Sequence, residues 1–145
     1  HTDASFVTAV PVAAVNGLEV FDEEADKWYR PELRARAHWI KQHGSEIGEG
    51  AESTVPWHAR YVAIMAGEHM QLCTRNEVPA TVHRVVSAKN KPSRLSSPIL
   101  LRGRPGVKFD ADRYLGGTLG NPILDQCDNK TMEAIYTETQ PKASQ

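Results

Sequence analysis

The chain holds 145 residues (16.1 kDa), enough for one domain with one sizeable core. Seventeen Lys and Arg against eighteen Asp and Glu leave a formal charge of −1, so the balance gives no case for nucleic acid or an anionic membrane surface as the partner. No apolar run approaches the roughly 18–20 residues of a membrane span, and two cysteines, Cys73 and Cys127, are too few for a disulfide scaffold. A soluble, cytoplasmic protein with reduced thiols is expected.

Residue 1 is His rather than Met, and nothing before Val7 resembles a signal or transit peptide, so either a leader has been removed or the chain is a piece of a longer one. Residues 6–20 (FVTAVPVAAVNGLEV) are Val-rich, with Pro11 and Asn16-Gly17 as breaks, which predicts two or three short strands. Residues 27–30 (KWYR) follow as a short strand. Pro31 suits the first turn of a helix; Leu33, Ala37 and Ile40 follow at helical spacing, and Gly44 suits the C-terminal glycine. A helix over 31–43 is expected, with Glu32 and Arg36 as an i,i+4 pair. The acidic, Gly-rich stretch 44–54 reads as a mobile loop, and 31–58 together as an insertion between strands. Strand character resumes at 60–65, stops at Ala66-Gly67 and returns at 69–73. A turn at 74–77, a strand at 78–87, a loop at 88–92 and a strand at 93–102 follow, then loop to Asp128 and a last helix over 131–139 capped by Asp128 or Asn129. Short strands at this spacing argue an all-β sandwich, barrel or jelly roll.

Three places carry chemistry. In a strand, i and i+2 share a face, so His1 and Asp3 converge while Thr2 points away. His83 lies in the strand 78–87, and Arg94 and Ser96 share a face in the strand 93–102. Two imidazoles and one carboxylate make the facial triad of non-haem Fe(II) oxygenases, with open positions left for ligands. Fe(II) with one carboxylate keeps a net positive charge and attracts a bidentate oxo-acid. A second carboxylate at that ligand's far end needs a buried cation. Arg94 offers a planar fork for it and Ser96 a hydroxyl beside it. The dicarboxylate that fits is 2-oxoglutarate. Each feature alone also fits a bland role, as a core histidine or a solvated strand edge; their order and spacing together favour the site.

These residues stand in motifs. HTDASFVTAV, NGLEV, Trp28 within DKWYRPE, GEHMQLCTRNEVPATVHRVV and SRLSSPILLR appear in that order between residue 1 and about residue 102. In this the chain resembles the 2-oxoglutarate- and iron(II)-dependent oxygenases, in the branch that includes isopenicillin N synthase and the plant hormone and flavonoid oxygenases. The resemblance implies His1, Asp3 and His83 as iron ligands and Arg94 with Ser96 as the anchor for the distal carboxylate. It implies Fe(II), 2-oxoglutarate and O2 as cofactor and cosubstrates, and a double-stranded β-helix (jelly roll). The activity implied is oxidative decarboxylation of 2-oxoglutarate coupled to hydroxylation, desaturation or ring closure of a small organic substrate in secondary metabolism. Three departures stand out. The 31–58 connection is longer than usual, Arg75-Asn76-Glu77 replaces an Asn-Gly turn, and no N-terminal helical region or first strands precede the H-x-D. The expected organisation is therefore the C-terminal part of an oxygenase jelly roll over 1–103, incomplete at its N-terminal side, with a C-terminal loop and helix over 104–145 packing on it. Its partner would be the missing N-terminal part of the same polypeptide.

Two rival readings remain. His1 as a mature N-terminus would chelate copper through its amine and imidazole, as in secreted polysaccharide monooxygenases, leaving Asp3, H-R-V and R-x-S unexplained. The other rival is a catalytically inactive jelly-roll binding module. Elsewhere, His38 and His43 are five apart and do not pair on one helix face as zinc ligands would. Glu68-His69 reads as a surface turn, and Cys73, in a strand with no basic neighbour in sequence, as an unreactive thiol.

Overall fold

The structure, a computed structural model, describes residues 1–45, 55–87, 92–110, 113 and 127–139. Most of the expected loops at 44–54 and 88–92 and much of the expected loop before Asp128 lie outside these residues. Among the described residues six strands form: β1 (Val7–Pro11), β2 (Leu18–Asp22), β3 (Lys27–Tyr29), β4 (Val62–Ala66), β5 (His83–Val85) and β6 (Ile99–Leu101). The helices are α1 (Pro31–His43), α2 (Glu68–Cys73) and α3 (Met132–Thr139), with one 3-10 turn at Trp57–Arg60. The strands make two three-stranded sheets, ordered β4-β1-β6 and β3-β2-β5. No helix among the described residues is long and apolar enough to cross a membrane.

The chain divides into two compact units, one of residue 1, 9–65 and 81–99 and the other of 2–8, 66–80 and 100–145. In the first, β2 is central and antiparallel to both neighbours, with Val20 opposite Tyr29 and His83, Glu19 opposite Arg84 and Phe21 opposite Trp28. The period of two sends Leu18 and Val20 inward onto Val10 and Met65. It sends Glu19 to the other face, where its carboxylate accepts from Arg30 (2.9 Å) and Arg84 (2.8 Å). These two guanidiniums hold its pKa below the ordinary carboxylate value. Arg84 also lies 4.0 Å from the Trp28 ring centroid. In the second unit, Leu72, Phe109, Met132 and Ile135 form the core, with Phe6, Cys73 and Cys127 packed against it.

Helix α1 keeps its expected ends. Pro31 occupies the first turn, and Gly44, at φ 74°, donates its N–H to the Ile40 carbonyl at 2.8 Å. Its inner face differs from the apolar positions that set its period. Leu33, Ala37 and Ile40 are exposed, while Glu32 and Trp39 are buried. The Trp39 ring stacks on His43 at 3.8 Å, and Glu32 turns to Leu18 and Arg94 instead of Arg36.

Three expected strands are corrected. Residues 69–73 belong to α2, whose buried residues His69 and Leu72 are three apart, a helical step. Arg75 (φ 53°) and Asn76 (φ 68°) then turn the chain back, with the Asn76 N–H on the Gln71 carbonyl. The stretch 93–102 forms a strand only over Ile99–Leu101, so Arg94 and Ser96 stand on irregular chain. The strand 78–87 shortens to β5, because the Ala80 N–H is taken by the Gln71 side chain. Helix α3 has the expected extent but a different cap: the Thr131 hydroxyl accepts from the Ala134 N–H at 3.2 Å.

Candidate metal centre

His1 and His83 are 82 positions apart in sequence and meet through the backbone. The His1 main-chain nitrogen donates to the His83 carbonyl at 3.0 Å, and the His83 N–H donates to the His1 carbonyl at 2.9 Å. This reciprocal pair is the repeat of an antiparallel ladder. It sets the two imidazoles edge to face, with ring centroids 4.4 Å apart. Asp3 joins them: His1, Asp3 and His83 each offer one ligand atom, and these atoms lie within 4.8 Å of one another.

The His83 tautomer follows from its surroundings. Nδ1 lies 3.0 Å from the Thr81 carbonyl. A carbonyl only accepts, so Nδ1 carries the proton and the lone pair sits on Nε2. A ligand histidine is held this way, its second nitrogen donating to an oxygen that fixes the ring. His83 is buried on the central sheet of its unit, Asp3 is half-buried and His1 is exposed. The donor set fits a divalent transition metal with open coordination positions.

The Asp3 segment is held by α2. The Asp3 carbonyl accepts from the N–H groups of Ser5 (2.9 Å) and Glu68 (2.8 Å), the Ser5 carbonyl from His69 (3.0 Å), and the Phe6 carbonyl from Gly67 (3.0 Å). The Thr2 hydroxyl donates to the Glu68 carboxylate at 2.5 Å. Gly67 is required for the approach: a Cβ there would stand 2.1 Å from the Ser5 carbonyl oxygen and 2.7 Å from that of Asp3. The sequence marked Gly67-Glu68 only as a turn. The signal that was there is a glycine followed by an acidic residue, which places Glu68 in the first turn of α2.

The expected surface position of His69 is corrected. The residue is 2% exposed, its ring is edge-on to Phe6, and its nitrogens have no hydrogen-bond partner among the described residues. Burial pushes its pKa down. Burial likewise raises the pKa of the half-buried Cys73 thiol, which lies in a helix rather than a strand. His38, on the exposed face of α1, bonds to the Tyr61 hydroxyl and to Gln42.

Arg94 and Ser96 stand on irregular chain rather than on one face of a strand. Ser96 is exposed. Arg94 is buried along its stem, and its Nε and one terminal nitrogen both reach a single oxygen of Glu32, at 3.3 and 2.9 Å. The i,i+4 spacing pairs Glu32 with Arg36, whereas its place in the first turn of α1, one residue after Pro31, turns it to Leu18 and Arg94.

No protein-family model matches this chain, and no curated protein does. Among solved structures, the likeness is to oxygenase-type proteins. The dioxygenase for auxin oxidation 1 from Arabidopsis thaliana, solved in complex with 2-oxoglutarate, is 18% identical with a TM-score of 0.53, over 79% of this chain and 35% of that one. A protein of Shewanella oneidensis assigned as an oxygenase is 23% identical with a TM-score of 0.48, over 80% of this chain and 36% of that one. At these identities the likeness is one of fold. The chain spans about a third of the length of either structure.

Proposed function

We propose that this chain carries the metal-bearing part of a jelly-roll oxygenase, a non-haem iron enzyme. In this reading oxidative decarboxylation of 2-oxoglutarate is coupled to hydroxylation or a related oxidation of a small organic substrate. The observation that carries the reading is the gathering of His1, Asp3 and His83, distant in sequence, with ligand atoms within 4.8 Å. The fold likeness to a dioxygenase solved with 2-oxoglutarate supports it.

Fe(II) bound there would supply the activation of O2, which no side chain performs. The chain's own residues do the rest. Thr81 holds the proton of His83 on Nδ1 and so presents Nε2. The α2 backbone holds the Asp3 segment from behind. Two neutral imidazoles and one carboxylate leave a divalent ion with a net positive charge, which favours a chelating 2-oxo acid over a neutral ligand. Arg94 is the candidate for the oxo-acid's distal carboxylate, with Ser96 beside it in sequence.

The test is metal binding by single variants. Asp3→Ala and His83→Ala each should weaken Mn(II) or Co(II) binding by at least about tenfold, while the thermal melt stays cooperative. Affinities unchanged in both variants would refute the assignment. Copper binding that persists in Asp3→Ala but is lost when the His1 amine is blocked would favour the copper reading.

A further inference from the structure

Glu32 is buried, at 3% exposure, at the start of α1. One of its carboxylate oxygens accepts three donors: the Leu18 N–H at 3.1 Å and two nitrogens of Arg94 at 3.3 and 2.9 Å. The other oxygen is buried with no hydrogen-bond partner among the described residues. The pair is therefore end-on, not the two-oxygen fork in which Arg and carboxylate bind most strongly. Both side chains are withdrawn from water, Arg94 at 11% exposure. The Arg94 stem rests on Gly17, where a Cβ would come within 2.9 Å of its Cδ. Gly17 and Leu18 face Val86 and Val85, two to three residues along β5 from His83. That offset is about 7–10 Å at the rise of a strand, within reach of one small ligand that also touches the metal centre.

We infer that Glu32 is a built-in competitor for Arg94, a specificity-determining carboxylate that withholds the guanidinium from the distal carboxylate of a dicarboxylic 2-oxo acid. The inference rests on the proposed role of Arg94 as cosubstrate anchor. The reason is charge. One guanidinium and one carboxylate bury as a neutral pair, whereas a second carboxylate beside them leaves a buried net negative charge. A dicarboxylate must therefore displace Glu32, which costs the Leu18 N–H its acceptor. In return the ligand can offer Arg94 two oxygens where Glu32 offers one. An oxo-acid that lacks the distal carboxylate meets no such competition. Discrimination between the two ligands is therefore small in the native chain and grows when Glu32 loses its charge.

The experiment is calorimetric titration of two acids into the metal-loaded protein, with Mn(II) in place of iron so that no turnover intervenes. The acids are 2-oxoglutarate and 2-oxobutanoate, which share the chelating end and differ in the distal carboxylate. The native protein should bind them within about threefold of each other. Glu32→Gln, which keeps the acceptor for Leu18, should tighten 2-oxoglutarate about 10- to 100-fold, the span of a hydrogen bond to a charged group, and leave 2-oxobutanoate unchanged. Unchanged or weaker 2-oxoglutarate binding in Glu32→Gln overturns the inference. So does a native preference for 2-oxoglutarate of about 100-fold, a result that needs no variant to fold. If 2-oxobutanoate binds the native protein but not Asp3→Ala, the metal reading stands whatever Glu32 does. Failure of both acids to bind any metal-loaded form overturns both readings.

Discussion

Replacing Gly67 by Ala tests whether α2 positions the Asp3 segment. The new Cβ would start 2.1 Å from the Ser5 carbonyl oxygen, 2.4 Å from its hydroxyl and 2.7 Å from the Asp3 carbonyl oxygen. An ordinary contact is about 3.4 Å, so backbone must yield by about 1.3 Å, because the Ser5 and Asp3 carbonyl oxygens are main-chain atoms that cannot rotate away. Overpacking of this kind, with strain in the bonds from Gly67, Glu68 and His69 to Phe6, Asp3 and Ser5, should cost about 2–4 kcal/mol. For a chain of this length that lowers Tm by roughly 5–15 °C. Because the displaced backbone carries Asp3, Mn(II) affinity should also fall about 10- to 100-fold, as when a group that orients a ligand is lost. Gly44→Ala is the control. Gly44 has φ 74° and nothing within 4 Å of a Cβ, so Ala there should cost about 1 kcal/mol of helix capping and leave metal binding alone. Thermal melts and Mn(II) titrations on the three proteins decide the matter. A Gly67→Ala protein that melts within about 2 °C of native and binds Mn(II) as tightly refutes the reasoning.

The folded pKa of His69 lies below its ordinary 6.5, chiefly through burial, with Arg102 adding to the shift and Glu68 opposing it. On acidification the unfolded chain therefore takes up its proton first, and stability falls as pH drops through about 6.5 towards the folded value. Denaturant titrations between pH 8 and 5 should show this fall in the native protein and a flatter profile in His69→Leu; equal slopes would count against it. Ile135, at the centre of its unit's core beside Leu72, Phe109 and Met132, should lose about 2–5 kcal/mol on Ile135→Ala. A chemical-denaturation midpoint that barely moves would show that α3 does not pack there.

Much of the chain is legible from local chemistry. Pro31 and Gly44 bound α1 because a missing N–H and a left-handed φ act within a few residues of themselves. Asn16-Gly17 separates β1 from β2, and His1 and Asp3, two apart, supply two of the three clustered donors. Residues 69–73 read as a strand because a six-residue helix is too short for a period of 3.6 to stand clear of a period of two. The side chains of α1 show the same limit. Its apolar spacing named Leu33 and Ile40, but burial went to Glu32 and Trp39, because Leu18, Arg94 and Tyr61 wait on that face. Local chemistry sets the donors, the turns and the helix ends. That His83 stands beside His1 and that Arg94 pairs with Glu32 depends on the folded chain. Ladder bonds and buried ion pairs join residues 82 and 62 positions apart, and a partner at that distance is chosen by which surfaces the folded backbone brings together.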